Sequence, residues 1–95
     1  MFACVVRLRP DPQKVEAFVR TFEEYGPIFL RESGTLVYRL GQSRTEAGTY
    51  RAIEIYENEE AFKAHTAGET FQAFRPLLVS LLAEPPSSER LDLVV

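Results

Sequence analysis

Thr35–His65, TLVYRLGQSRTEAGTYRAIEIYENEEAFKAH, holds two strand patterns in succession and then the start of a helix. Thr35 to Ser43 and Thr49 to Glu57 each alternate with the two-residue period of a strand, and the polar run Arg44 to Gly48 between them reads as a hairpin turn. In the first strand Leu36, Tyr38 and Leu40 share a face; in the second, Ile53 and Ile55 oppose Ala52, Glu54 and Tyr56. Asn58 is a side chain suited to cap a helix, and Glu59 and Glu60 place negative charge at its positive end. A short helix carrying Ala61, Phe62 and His65 follows, and Gly68 interrupts it.

Upstream, Phe2 to Arg9 alternates as a strand, with Phe2, Cys4, Val6 and Leu8 on one face. Asp11-Pro12 predicts a helix start, because Asp caps free N–H groups and Pro at the first helical position loses no hydrogen bond. Val15, Phe18, Val19, Phe22 and Phe29 then fall at helical spacing. Gly26-Pro27 predicts a kink or break, with a short continuation ending near Ser33-Gly34. Downstream, Phe71, Phe74, Leu78, Leu81 and Leu82 form the buried side of a further helix, which Pro76 should bend or start just ahead of. Glu84 to Ser88 is a stop and a loop, and Arg90 to Val95 a closing strand.

The order is β-α-β-β-α-β, an α+β ferredoxin-like arrangement in which helices cover one face of a four-stranded antiparallel sheet. The other face is expected to carry Ala3, Val5, Val37, Ala52 and Tyr56 beside Arg7, Arg39 and Glu54, with Arg7 and Glu54 near neighbours. Such a mixed apolar and charged surface is best covered by a second copy of the chain, which predicts an isologous homodimer. The bland alternative is an ordinary solvated sheet face.

Ninety-five residues make one domain, 1–95, without repeats or low-complexity segments. At that length a chain hides only about two thirds of the surface it exposes unfolded, so pairing is a common aid to stability. The net charge of -3, with Arg and Lys dispersed, gives no footprint for nucleic acid. An RNA-recognition module would share the strand and helix order, but its basic, glycine and aromatic strand motif is missing. Cys4 is the single cysteine and His65 the single histidine, so no structural zinc site is expected, nor an intrachain disulfide. The apolar start is too brief for a signal or a membrane span, making a cytoplasmic location the default and a membrane partner unexpected. Phosphate-cradling loops, dinucleotide fingerprints and nucleophile elbows are absent.

Three stretches together resemble the antibiotic-biosynthesis monooxygenase domains: VVRLRPDPQKVEAF (Val5 to Phe18), SGTLVYRL (Ser33 to Leu40) and YRAIEIYENEEAFKAHTAGETFQAF (Tyr50 to Phe74). The resemblance implies a dimeric α+β barrel with a pocket between helices and sheet. Members include cofactor-independent oxygenases of quinols and polycyclic phenols, haem-degrading enzymes and domains of unassigned role. The chain departs from the family in having no Trp; Tyr56 stands where many members carry one, and Thr70 where members often carry a second His. The Asn, Trp and iron-binding His of the haem-degrading branch correspond to Val6, His65 and Arg75, so haem degradation is not expected.

These considerations give a set of candidate site residues. His65, on the apolar side of its helix, could serve as general base or hydrogen-bond donor toward a phenol; otherwise it is a helix-end histidine bonding a carbonyl. Tyr38 could hold a ligand oxygen or bond the backbone. Val6, Phe18, Phe22, Phe71 and Phe74 would line an aromatic cavity for a flat apolar ligand, or simply fill the core. Tyr56 joins them from the place of the missing Trp, and Arg75 would stand at the pocket mouth. The function expected is a cofactor-free monooxygenase of a quinol or polycyclic phenol, needing neither metal nor prosthetic group. The alternative is a non-catalytic homodimer that binds a small apolar molecule.

Overall fold

A computed structural model of residues 1–95 has seven elements: β1 (Phe2–Leu8), α1 (Val15–Leu30), β2 (Thr35–Gln42), β3 (Tyr50–Tyr56), α2 (Glu59–Ala67), α3 (Glu69–Ser80) and β4 (Ser87–Asp92). The strands form one antiparallel sheet in the order β2-β3-β1-β4. This is the ferredoxin-like α+β arrangement read from the sequence, with the helices on one side.

The pairing register fixes which residues the helices cover. Cys4 lies opposite Glu54, Val6 opposite Ala52 and Leu8 opposite Tyr50, while Tyr38 lies opposite Glu54 on the other flank of β3. Directly paired residues point to the same face. The covered face therefore carries Phe2, Cys4, Val6 and Leu8 with Tyr50, Ala52, Glu54, Tyr56 and Tyr38, nearly all buried. The sequence expectation for β3 is reversed: Ala52, Glu54 and Tyr56 lie under the helices, and Ile53 and Ile55 pair with Val5 and Ala3 on the open face. Both sides of YRAIEIY are apolar enough to be buried, so periodicity alone leaves its face open, and only registration against β1 decides it. Arg7 consequently sits opposite Arg51, not beside Glu54. Its charge is met within the chain, by Glu46 of the β2–β3 hairpin at 2.7 Å and by Glu84 at 2.7 Å.

A bulge shifts β2. The register slips between Thr35 and Val37, so Thr35 and Tyr38 share the covered face and Leu36 is turned out, 44% exposed. That corrects the expected alignment of Leu36 with Tyr38 and Leu40.

Helix α1 starts four residues after Asp11. Asp11 N–H donates to the Leu81 carbonyl at 2.9 Å and Pro10 bridges Leu82, so this segment is held extended against the end of α3. Asp11 Oδ1 instead accepts from Gln13 N–H, closing a turn ahead of the helix. Gly26-Pro27 does not break α1, which runs through to Leu30 with Phe18 and Phe22 before the proline and Phe29 after it, all buried. An interior proline costs about 3 kcal/mol, and burying aromatic side chains on both sides of it offsets that cost. Pro76 likewise sits inside α3, between buried Phe74 and Leu78, and the helix starts well ahead of it.

Strand β4 starts at Ser87, earlier than the expected Arg90, and ends at Asp92. Its register against β1 explains both bounds: Ser87 pairs with Arg7 and Asp92 with Phe2, and beyond Phe2 little of β1 remains to pair with. Every residue of β4 is exposed, because the helices stop short of this edge.

Candidate functional site

Between the helices and the β1–β4 side of the sheet lies a cavity of about 420 Å³. Its floor is Cys4, Val6, Leu8, Tyr38, Ala52 and Glu54; Phe22, Phe62, His65, Phe71 and Phe74 form the roof; Arg75, Ser88 and Arg90 stand toward the bare edge. The volume is that of a pocket for a small organic molecule.

His65 is fixed from several directions. Asn58 caps α2 by accepting from Ala61 N–H at 3.0 Å, and His65 rides the last turn of that helix, 3% exposed. Phe29 meets its ring edge-on at a centroid distance of 4.6 Å, with Phe71 at 5.0 Å and Tyr38 at 5.7 Å. Nδ1 lies 2.7 Å from Glu32 Oε1. A carboxylate accepts, so the neutral ring carries its proton on Nδ1 and presents its lone pair at Nε2. Nε2 is buried and has no partner in the protein. The helix-end alternative, a ring bonding a backbone carbonyl, is not what the side chain does.

Glu32 reaches His65 because the link from α1 to β2 lies directly on α2. Gly34 has φ 83°, and a Cβ built there would fall 2.6 Å from Ala61 Cβ. Only glycine permits both the turn and the approach.

The floor holds a second polar group. Glu54 is 5% exposed, and its Oε1 accepts from the Tyr56 hydroxyl at 2.6 Å. Burial pushes the Glu54 carboxyl up to about 7, against a smaller downward pull from the Tyr56 hydrogen bond. Burial also pushes up the Tyr38 and Tyr56 hydroxyls, so both stay protonated donors. The Cys4 thiol is pushed up to about 11 by the same cause, which leaves it a poor nucleophile.

The cavity brings together Val6, Phe22, Tyr38, His65, Phe71, Phe74 and Arg75 from the sequence-derived set. Two members fall outside its lining. Phe18 is fully buried against Phe22 and Tyr50, and Tyr56 lies behind Phe62, meeting the cavity only through Glu54. Sequence reasoning missed Glu54 and Glu32 as site residues. Glu54 was legible as a lone charge between Ile53 and Ile55, but on the wrong face; Glu32, in a polar link far from His65 in sequence, carries no local signal. Arg75 and Arg90 make no ion pair with any carboxylate of the chain, and the Arg90 guanidinium rests 5.1 Å from the Phe62 ring centroid. No group of three His, Cys, Asp or Glu side chains converges as a metal site, and no helix is long and apolar enough to cross a membrane.

The family model described as antibiotic biosynthesis monooxygenase matches residues 1–77, so the β4 residues at the cavity mouth lie beyond the match. Among solved structures, a Caulobacter crescentus protein provisionally described as an antibiotic biosynthesis monooxygenase is 32% identical, over 99% of this chain and 90% of its own, with a TM-score of 0.91. One from Nitrosomonas europaea, described in the same provisional terms, is 20% identical over the whole of both chains, with a TM-score of 0.92. A Mycobacterium tuberculosis protein is 21% identical over 99% of this chain and 95% of its own, with a TM-score of 0.90. The last two likenesses bear on fold alone. No curated protein sequence matches the chain.

Proposed function

Because the chain belongs to the antibiotic biosynthesis monooxygenase family, we propose that it oxygenates a quinol or polycyclic phenol in the cavity between helices and sheet, without a cofactor. The observation that carries this reading is the bare, buried Nε2 of His65, backed at Nδ1 by Glu32. A phenol is a poor reductant of oxygen, whereas its anion is a good one, so catalysis needs a base in a dry, flat, apolar site. His65 Nε2 takes the phenolic proton, an assistance worth roughly 10²–10⁴-fold when well placed. The substrate anion then supplies the electrons itself. The net reaction consumes one ring C–H, one phenolic O–H and one oxygen molecule, and yields a quinone and water.

Tyr38, held protonated by burial, donates to the developing ring oxyanion. Val6, Phe22, Phe71 and Phe74 sandwich the ring system, and Arg75 meets an oxygen or anionic group at the mouth. The same aromatic walls exclude water, which otherwise stabilises the anion and slows its reaction.

Oxygen uptake by the pure protein with hydroxylated naphthalenes and anthracenes tests the proposal. Uptake above the uncatalysed rate, lost in His65→Ala, is the expected result. Ligand-induced thermal stabilisation with no uptake across the panel would replace it with the non-catalytic binding role.

The open face supports self-association as part of the same reading. Val5, Val37, Ile53, Ile55 and Leu91 form its apolar part, with Ile53 39% exposed. Of its arginines, Arg7 and Arg51 pair with Glu46 within the chain, whereas Arg39, opposite Ile53, makes no ion pair. A second copy of the chain is the occupant such a face fits.

A further inference from the structure

We infer that Glu54 is a second catalytic residue, the acid that protonates the departing oxygen in the same cavity where His65 removes protons. The inference rests on the oxygenase reading and adds to it the group that completes turnover.

A carboxyl buried in a sheet floor normally has a cation or several hydrogen bonds to justify its cost. Glu54 has neither. Each element packed around it contributes a facing group: Cys4 from β1, Tyr38 from β2, Tyr56 from its own strand, His65 from α2, with Arg75 of α3 and Arg90 of β4 toward the mouth. None forms an ion pair with it, and its one hydrogen bond is accepted by Oε1 from Tyr56. The carboxyl lines the cavity, and Oε2, with no partner in the protein, is left to carry the proton toward a ligand. Burial, which favours the neutral form, keeps that proton in place up to a pH near 7.

The chemistry requires an acid as well as a base. Once the phenolate carbon has joined oxygen, a ring carbon carries a hydroperoxide, its outer proton returned by His65. The ring C–H proton then leaves to His65, its electron pair forms the new C=O, and the O–O bond breaks. The departing oxygen would leave as hydroxide. A proton from Glu54 converts it to water, and the proton collected by His65 restores Glu54 through solvent. Atoms and electrons balance with oxygen as the only oxidant.

The test compares wild type, Glu54→Gln and Tyr56→Phe on a hydroxynaphthalene that wild type oxygenates, reading kcat, ligand affinity and the pH profile of oxygen uptake. Glu54→Gln preserves shape and the ability to accept from Tyr56; it should bind the naphthol as wild type does, lose about 100-fold in kcat, and lose the fall in rate above pH 7. Tyr56→Phe removes only the bond that holds the Glu54 pKa down, so the same limb should move to higher pH; this variant answers the question even if Glu54→Gln folds poorly. An undiminished kcat in Glu54→Gln, or a limb that stays put in Tyr56→Phe, overturns the role of Glu54 while leaving the oxygenase reading intact. No uptake by wild type with any substrate overturns both.

Discussion

Glu32 and His65 meet at 2.7 Å although 33 residues separate them in sequence. The contact orients a buried imidazole that lines the cavity and whose second nitrogen has no partner in the protein. Removing Glu32 should therefore weaken the base without closing the pocket. Glu32→Ala is expected to lower oxygen-uptake kcat by roughly 10- to 100-fold, as losses of orienting partners do, while the affinity for a naphthol ligand stays the same. Equal loss of affinity and rate would mean that Glu32 holds the fold rather than the ring.

The route by which Glu32 arrives gives a second prediction. Gly34 combines a positive φ with a Cβ position 2.6 Å from Ala61 Cβ. Gly34→Ala must strain the turn and push the α1–β2 link off α2. A loss of about 2 kcal/mol or more in denaturant unfolding is expected, from the strained backbone and the overlap together. Uptake should fall with it, since Glu32 shifts on the same link. Unfolding at the wild-type midpoint would show that the link tolerates displacement.

The sequence made the element order, the cap at Asn58 and most of the cavity's aromatic walls readable, because each depends on local spacing. What it could not supply was registration. YRAIEIY has two apolar faces, and only pairing with β1 puts Glu54 beneath the helices. The bulge at Leu36 has no signature in TLVYRL. Pro27 and Pro76 carry a local penalty that tertiary packing of Phe29, Phe74 and Leu78 overrides. Glu32 was hidden for the same reason as Glu54: its role comes from a long-range approach.

Burial of Glu54 also sets a pH dependence of stability. Its carboxyl is raised from 4.5 to about 7 in the folded protein, so between those values the folded state holds more protons than the unfolded one. Its contribution is thus most favourable below pH 4.5, declines as pH rises through 7, and is then constant. The full penalty is on the order of 3 kcal/mol. Glu54→Gln does not titrate, so its stability relative to wild type should rise between pH 5 and pH 8, read as a widening difference in Tm. A constant difference over that interval would mean that Glu54 keeps a carboxylate's ordinary pKa.

The open sheet face carries the prediction for the state of assembly. Ile53 and Ile55 sit side by side on β3, flanked by Val5 and Val37, with no helix above them. A dimer through this face needs roughly 800 Å² from each partner; the intrachain pairing of Arg7 and Arg51 with Glu46 lowers the charge cost of bringing two such faces together, and Arg39 and Glu89, unpaired within the chain, are left for the partner to meet. Sedimentation equilibrium at micromolar concentration should give twice the chain mass. Ile53→Glu, which places an unpaired charge against its symmetry mate, should give the chain mass with the helix-side cavity unchanged. Wild type sedimenting as a single chain, with the isoleucines open to water, would leave the face unoccupied and remove the dimer from the proposed function.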